Sequence, residues 1–267
     1  MPAGRFSSLF VAALVAAALA LPSMANAERF SFMALGDMPY NLPGDYAAFD
    51  RVIARVNSMR PAFTFHVGDI INGRTRCDDA LFARVRDMFA TFEGPLVYTP
   101  GDNEWTDCHR PNSGSMDPLE RLAFVRRMFF PEPTQSLGKT PLRVTPQSTD
   151  AQYSKFVENA RWERAGVVFA TLHIPGSNNN LQRNQAAVNE YIERNAANLA
   201  WIDAAFARAQ GEHVAWASQI SGPGVGMDGG QDGFRPIGSR DPGGDAFNRI
   251  NCFAKRGAED RGVLRRH

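Results

Sequence analysis

Cysteine is scarce in this chain: three in 267 residues, too few for a disulfide framework and enough for one intrachain bridge. Lysine is scarcer than its role in soluble proteins would suggest, with Lys139, Lys155 and Lys255 the only ones, so nearly all positive charge is arginine. An excess of either charge is missing too. The net charge is +1, which removes any argument from composition for a nucleic acid or another polyanion as partner. Long apolar runs are absent after residue 27, so no membrane span is expected in the mature chain. Composition gives no oligomeric state.

What is present begins with a leader pattern. Arg5 supplies a positive start, Leu9 to Leu21 is apolar, and Ala25-Asn26-Ala27 offers small residues for cleavage. Residues 1–27 read as a secretory signal peptide, and the mature protein as secreted or periplasmic. Export permits disulfides.

Residues 28–221 alternate short apolar runs with helical spacing, the mark of a layered α/β domain. Strands are expected over Phe30–Leu35, Ala62–Val67, Pro95–Pro100, Val167–Leu172 and Val214–Gln219. Helices are expected over Asp45–Met59, Asp79–Phe92, Asp117–Phe129 and Asn184–Ala209. Asp117-Pro118 supplies an N-cap and a first-turn proline. In the last helix Tyr191, Ile192, Leu199, Trp201, Ile202 and Phe206 are the core candidates. Thr140–Arg143 and Gln152–Glu158 read as shorter strands or loops.

Residues 222–267 differ. They hold 11 of the 23 glycines and no regular apolar spacing, so neither strand nor helix is expected there. The segment reads either as a solvated tail or as a stretch translated out of frame.

The chemistry sits at the strand ends. Gly36-Asp37, Gly68-Asp69 and Gly101-Asp102 each close an apolar run, and His173 closes another. Glycine lets the chain turn sharply and present the next residue at the carboxyl edge of the sheet, where open α/β folds bind ligands. Three aspartates and a histidine at one edge call for divalent metal, one ion or two. Cys77 and Cys108 follow Asp69 and Asp102 closely, so a Cys77–Cys108 bridge would staple two site-bearing loops. The alternative is two free thiols on neighbouring loops, and Cys252 is left over.

In order, Leu35-Gly36-Asp37, Val67-Gly68-Asp69-Ile70, Gly101-Asp102-Asn103-Glu104 and His173 resemble the motifs of the calcineurin-like metallophosphoesterases. The local strings Gly-Asp-Asn-Glu-Trp-Thr-Asp-Cys and Leu-His-x-Pro-Gly-Ser-Asn-Asn resemble a secreted subgroup. The resemblance implies an α-β-β-α sandwich, two facing sheets with helices outside, incomplete at its C-terminal end. It implies two divalent ions (Mn, Fe, Zn or Mg) held by Asp37, Asp69, Asp102 and His173, with Asp69 bridging. It implies hydrolysis of a small phosphate mono- or diester, with Asn103 orienting the phosphate. Arg74, Arg76, His109 and Asn178 are candidate substrate contacts, because arginine suits bidentate phosphate binding and the others lie on adjoining loops. His66 reads as structural.

The sequence departs from the family pattern at three places. Pro39 stands where the first motif has histidine, and Asn103 where the third has its catalytic histidine. No Gly-His-x-His follows, and the only histidine after Gln219 is His267. A catalytically silent relative is the alternative reading.

Overall fold

The computed structural model describes residues 29–181 and 183–209, together with the strands His213–Gln219 and Asn248–Ala254. The leader pattern and the rest of the 222–267 segment lie outside the described residues.

The fold is mixed α/β with two sheets. Strands β1 (Met33–Leu35), β2 (Thr64–His66) and β3 (Leu96–Tyr98) form a parallel sheet in sequence order. Their crossovers carry α1 (Tyr46–Met59) and α2 (Asp79–Phe89), as parallel connections require. Helix α3 (Pro118–Phe129) begins on the expected cap, with the Asp117 carboxylate accepting from the N–H groups of Leu119 and Glu120. The second sheet has the order β4 (Thr145–Pro146), β5 (Ala160–Arg164), β6 (Val167–Thr171), β7 (His213–Gln219), β8 (Asn248–Ala254). Only its β6–β7 pair is parallel. A single short turn, α4 (Gly176–Asn179), and the long helix α5 (Gln185–Arg208) connect that pair.

Period-two alternation sorts the apolar residues into three clusters. Leu96, Tyr98, Met33 and Leu35 face α1, α2 and α3. Phe63, Phe65, Val67 and Val97 face the other way, onto Ala160, Trp162 and Phe169 of the second sheet. Phe63 and Phe169 are 4.9 Å apart edge to face. Val168, Ala170 and Leu172 point to the far side of that sheet and pack on Trp201 and Ala205 of α5.

Two expectations are corrected. Ile192 and Leu199 are exposed on α5, at 59% and 46%, and the buried face instead holds Ala187, Arg194, Ala197, Asn198, Trp201 and Ala205. Small residues let the helix approach the sheet, and Arg194 and Asn198 are buried because the strand end beneath them offers polar partners. Second, the segment expected to hold no element contributes β8, which pairs antiparallel with β7 over its whole length. Its sequence, Asn-Arg-Ile-Asn-Cys-Phe-Ala, alternates too weakly to signal a strand without that neighbour.

Candidate functional site

The parallel order of β1, β2 and β3 puts Asp37, Asp69 and Asp102 beyond the same edge of the first sheet. Asp37 and Asp69 both sit in the left-handed region, at φ 53° and 57°. Aspartate tolerates that conformation better than most residues, at a cost of about 1 kcal/mol or more, and such outliers gather at functional sites. The turns interlock: Asp37 N–H donates to Gly68 O at 3.1 Å. Gly68, at φ 88°, lies against the backbone of Pro100 and Gly101.

Glu104 ties the second and third motifs together. Its Oε1 accepts from Ile70 N–H (3.3 Å), Gly101 N–H (3.2 Å) and the Tyr98 hydroxyl (2.9 Å). Burial pushes its carboxyl up to about 7, against the pull of those bonds. Asp69 accepts from Asn103 N–H at 3.3 Å. Burial raises the Asp69 carboxyl well above the usual range, and Asp102, Glu104 and Asp37 all push the same way. Tyr40 joins from the first loop, its hydroxyl 3.5 Å from Asn103 Nδ2. Burial and the Asp69 charge raise its phenol.

His173 reaches the same edge from the second sheet. The Thr99 hydroxyl lies 3.5 Å from Leu172 O, joining the ends of β3 and β6. The His173 ring is fully buried, packs on Trp105 at 5.4 Å, and donates from Nδ1 to Glu158 Oε1 at 2.8 Å. Burial lowers its pKa, so the ring is neutral, and among the described residues its Nε2 lone pair has no partner. Burial opposes ionisation of Glu158, but Arg126 and His173 override it and hold the carboxyl well below its usual range. An imidazole fixed through Nδ1 by a carboxylate, with Nε2 free, is how metal-ligating histidines are oriented.

Among the described residues, no three His, Cys, Asp or Glu side chains stand as a ready-made metal cage. The donor chemistry nevertheless suits a hard or borderline divalent ion: carboxylates gathered at one sheet edge, and one imidazole nitrogen with no partner among the described residues.

Cys77 and Cys108 are bonded, their Cα atoms 5.8 Å apart, and both sulfurs lie 3.6 Å from Asn103 O. The bridge closes a 31-residue separation. By chain entropy it stabilises the fold by about 3–4 kcal/mol. Its position against the third motif means that it also fixes the backbone that carries Asp102 and Asn103.

The remaining candidates divide. His109 and Asn178 line an open cleft of about 470 Å³ beside Asp102. Arg74 is exposed, and Arg76 is exposed and paired with Asp78 at 2.7 Å; neither lines that cleft. Arg110 and Arg183 line it instead. Sequence reasoning placed Ser177 only in a polar loop, yet its hydroxyl lies 2.8 Å from Asp102 Oδ2 and 2.5 Å from Asp107 Oδ1. Burial and Asp102 push Asp107 up to about 6, against Ser177 and Arg110.

His66 belongs to the other face of the first sheet, among Phe49, Phe89 and Tyr98. Its Nε2–H donates to Met38 O at 2.7 Å, and its Nδ1 accepts from Gly68 N–H at 3.3 Å. It therefore pins both Gly-Asp turns while remaining neutral, and burial lowers its pKa to about 4. Above pH 6.5 the ring is neutral folded or unfolded, and stability is unaffected. As pH falls from 6.5 to about 4, the unfolded chain takes up a proton the native state refuses. About 3 kcal/mol is lost across that window. The raised carboxyls of Asp69, Glu104 and Asp107 work in the opposite direction, so the difference between variants isolates His66. Denaturant unfolding of His66→Gln and wild type at pH 7 and pH 4.5 is expected to show a shallower decline in the variant; parallel declines would contradict it.

No protein-family model matches the chain, and no curated protein or solved structure matches it, so its likeness to the calcineurin-like metallophosphoesterases rests on the ordered motifs.

Proposed function

We propose that this protein is an exported, metal-dependent phosphoesterase with the α-β-β-α sandwich of the calcineurin-like family. The observation that carries the reading is the gathering of Asp37, Asp69 and Asp102 at one sheet edge, where burial and then the neighbouring carboxylates hold Asp69 above its ordinary pKa. Such a cluster binds a proton or a cation, and a divalent cation is the partner that would make it useful.

Asp37, Asp69, Asp102 and His173 would hold the ions. Bound there, divalent metal would supply a hydroxide at neutral pH and neutralise charge on a phosphate. The chain's own contribution is positional. The interlocked turns fix the carboxylates, Glu158 fixes the His173 ring, and Asn103 and Tyr40 present polar groups to a phosphate oxygen. The cleft beside Asp102 opens to solvent. The leader pattern and the disulfide support export. No helix among the described residues is long and apolar enough to cross a membrane.

The second reading, a relative that binds metal without turnover, is favoured by Asn103. Its amide has no acid function near neutral pH, where the family has a histidine.

Equilibrium Mn²⁺ binding and hydrolysis of bis(p-nitrophenyl) phosphate by the full chain test both. The wild type is expected to bind Mn²⁺ and hydrolyse the diester. Asp69→Asn is expected to weaken Mn²⁺ binding by at least about 100-fold, the upper range for losing an outer-shell partner. Binding without hydrolysis selects the silent relative. No binding removes both readings.

A further inference from the structure

We propose that the cleft beside Asp102 is a subsite for a second anionic group of the substrate, a phosphate or carboxylate carried next to the scissile phosphate, received by Arg183 and Arg110. The placement of the scissile phosphate rests on the phosphoesterase reading; the anion site itself stands on the cleft.

Arg183 carries the argument. It is half-buried, it lines the cleft, and among the described residues no carboxylate lies within ion-pair distance of it. Its two hydrogen bonds go to neutral oxygens, Thr106 O at 3.3 Å and Asn180 Oδ1 at 2.6 Å. Asp117, Glu190 and Asp107 act on it only from a distance. A partly desolvated guanidinium with no carboxylate in ion-pair contact among the described residues is unfavourable until an anion arrives, and its planar fork suits phosphate or carboxylate.

Arg110 adds reach toward the carboxylate cluster. It pairs with Asp107 at 2.7 Å and donates to Ser177 Oγ at 3.3 Å, and Ser177 touches Asp102. One hydroxyl thus separates this guanidinium from the carboxylate edge. Asp107 is in direct contact with Arg110, whereas it reaches Arg183 only from a distance.

The wall of the cleft is built at a conformational cost. Ser177, Asn178, Asn179 and Asn180 all have positive φ, between 48° and 63°. L-residues lose about 1–2 kcal/mol each in that region, asparagine less. Arg194 grips the turn at Asn179 through both its carbonyl and its side-chain oxygen, and Arg183 and Glu190 hold Asn180. Backbone strain maintained at a cleft wall points to function rather than to packing.

Rigid probes test the inference without turnover. Phenylphosphonate carries one anion; 3-carboxyphenylphosphonate and benzene-1,3-diphosphonate carry two that cannot grip one metal together. Titration calorimetry on the full chain with Mn²⁺ is expected to show the two-anion probes binding at least tenfold tighter. Arg183→Gln is expected to erase that margin, and so is Asn178→Asp, which adds a carboxylate at the cleft wall and serves if Arg183→Gln fails to fold. A preference for the diphosphonate assigns the second group as phosphate, and a preference for the carboxyphosphonate as carboxylate. Equal affinity of one- and two-anion probes in the wild type overturns the inference. So does a variant that weakens all three probes alike. If the two-anion margin is present and Arg183-dependent while Mn²⁺ binding and hydrolysis are absent, the anion cleft stands and the phosphoesterase reading falls.

Discussion

Gly68→Ala is expected to cost more than about 5 kcal/mol, beyond the range of ordinary point substitutions, and to leave little folded protein. A Cβ at this position would lie 2.0 Å from Gly101 N, 2.5 Å from Gly101 Cα and 2.7 Å from Pro100 C. All three are backbone atoms, so no side chain can rotate away. The φ of 88° adds a conformational penalty of about 1 kcal/mol for any L side chain. The only relief is to part the second and third motif loops. That movement breaks the Asp37 N–H to Gly68 O bond and the bonds that converge on Glu104. Gly166→Ala is the control. Gly166 has a similar φ of 80°, but a Cβ there meets nothing within 4 Å. Its cost is expected to be the conformational part alone, about 1 kcal/mol. Denaturant titration of the two variants separates contact from conformation. If they lie within 1 kcal/mol of each other, the close approach at Gly68 is not what holds the motifs together.

This contact explains what the sequence could and could not show. The three Gly-Asp pairs are visible as text, because glycine after a buried strand has few other uses. The lock between Gly68 and Gly101 is not, because it joins residues 33 positions apart through backbone alone. Periodicity placed α1, α2, α3 and α5 to within a few residues, since each carries an apolar face of helical spacing. It failed on Ile192 and Leu199, where the expected stripe gave way to alanines and an arginine. Bulk does not decide burial on a helix that must lie close to a sheet. The disulfide was legible from the spacing of Cys77 and Cys108 behind the two motif aspartates. Arg183 was not, because an arginine with no carboxylate in contact among the described residues looks like any surface arginine until its neighbours are known. Glu158 was hidden for a related reason: it lies 15 residues before His173, and only the β5–β6 pairing brings the two together.

Arg194 was the deepest omission, and Arg194→Met is expected to cost about 3–5 kcal/mol, the toll of removing one partner from a buried ion pair. The guanidinium is fully buried and spends all of its N–H donors. Nε and one terminal nitrogen hold the Glu190 carboxylate at 2.6 and 3.1 Å. The others reach His173 O at 3.0 Å, Asn179 Oδ1 at 2.5 Å and Asn179 O at 3.0 Å. The ring of Trp105 lies 5.5 Å away. Burial pushes the Glu190 carboxyl up, but Arg194 and Asn180 override it and keep it below its ordinary value. Without Arg194, Glu190 would be left nearly buried with only Asn180 Nδ2 donating to it. Methionine fills the volume but satisfies none of these oxygens. Glu190→Gln combined with Arg194→Met removes the stranded charge and is expected to recover part of the loss; a double variant no more stable than Arg194→Met would place the cost in packing on Trp105 instead. The two variants also divide stability from position. Both lose the grip on Asn179, so both are expected to let the strained 177–180 turn relax and to raise amide hydrogen exchange there. Unchanged exchange at 177–180 in either variant would show that the turn holds itself, and that Arg194 serves the helix rather than the cleft.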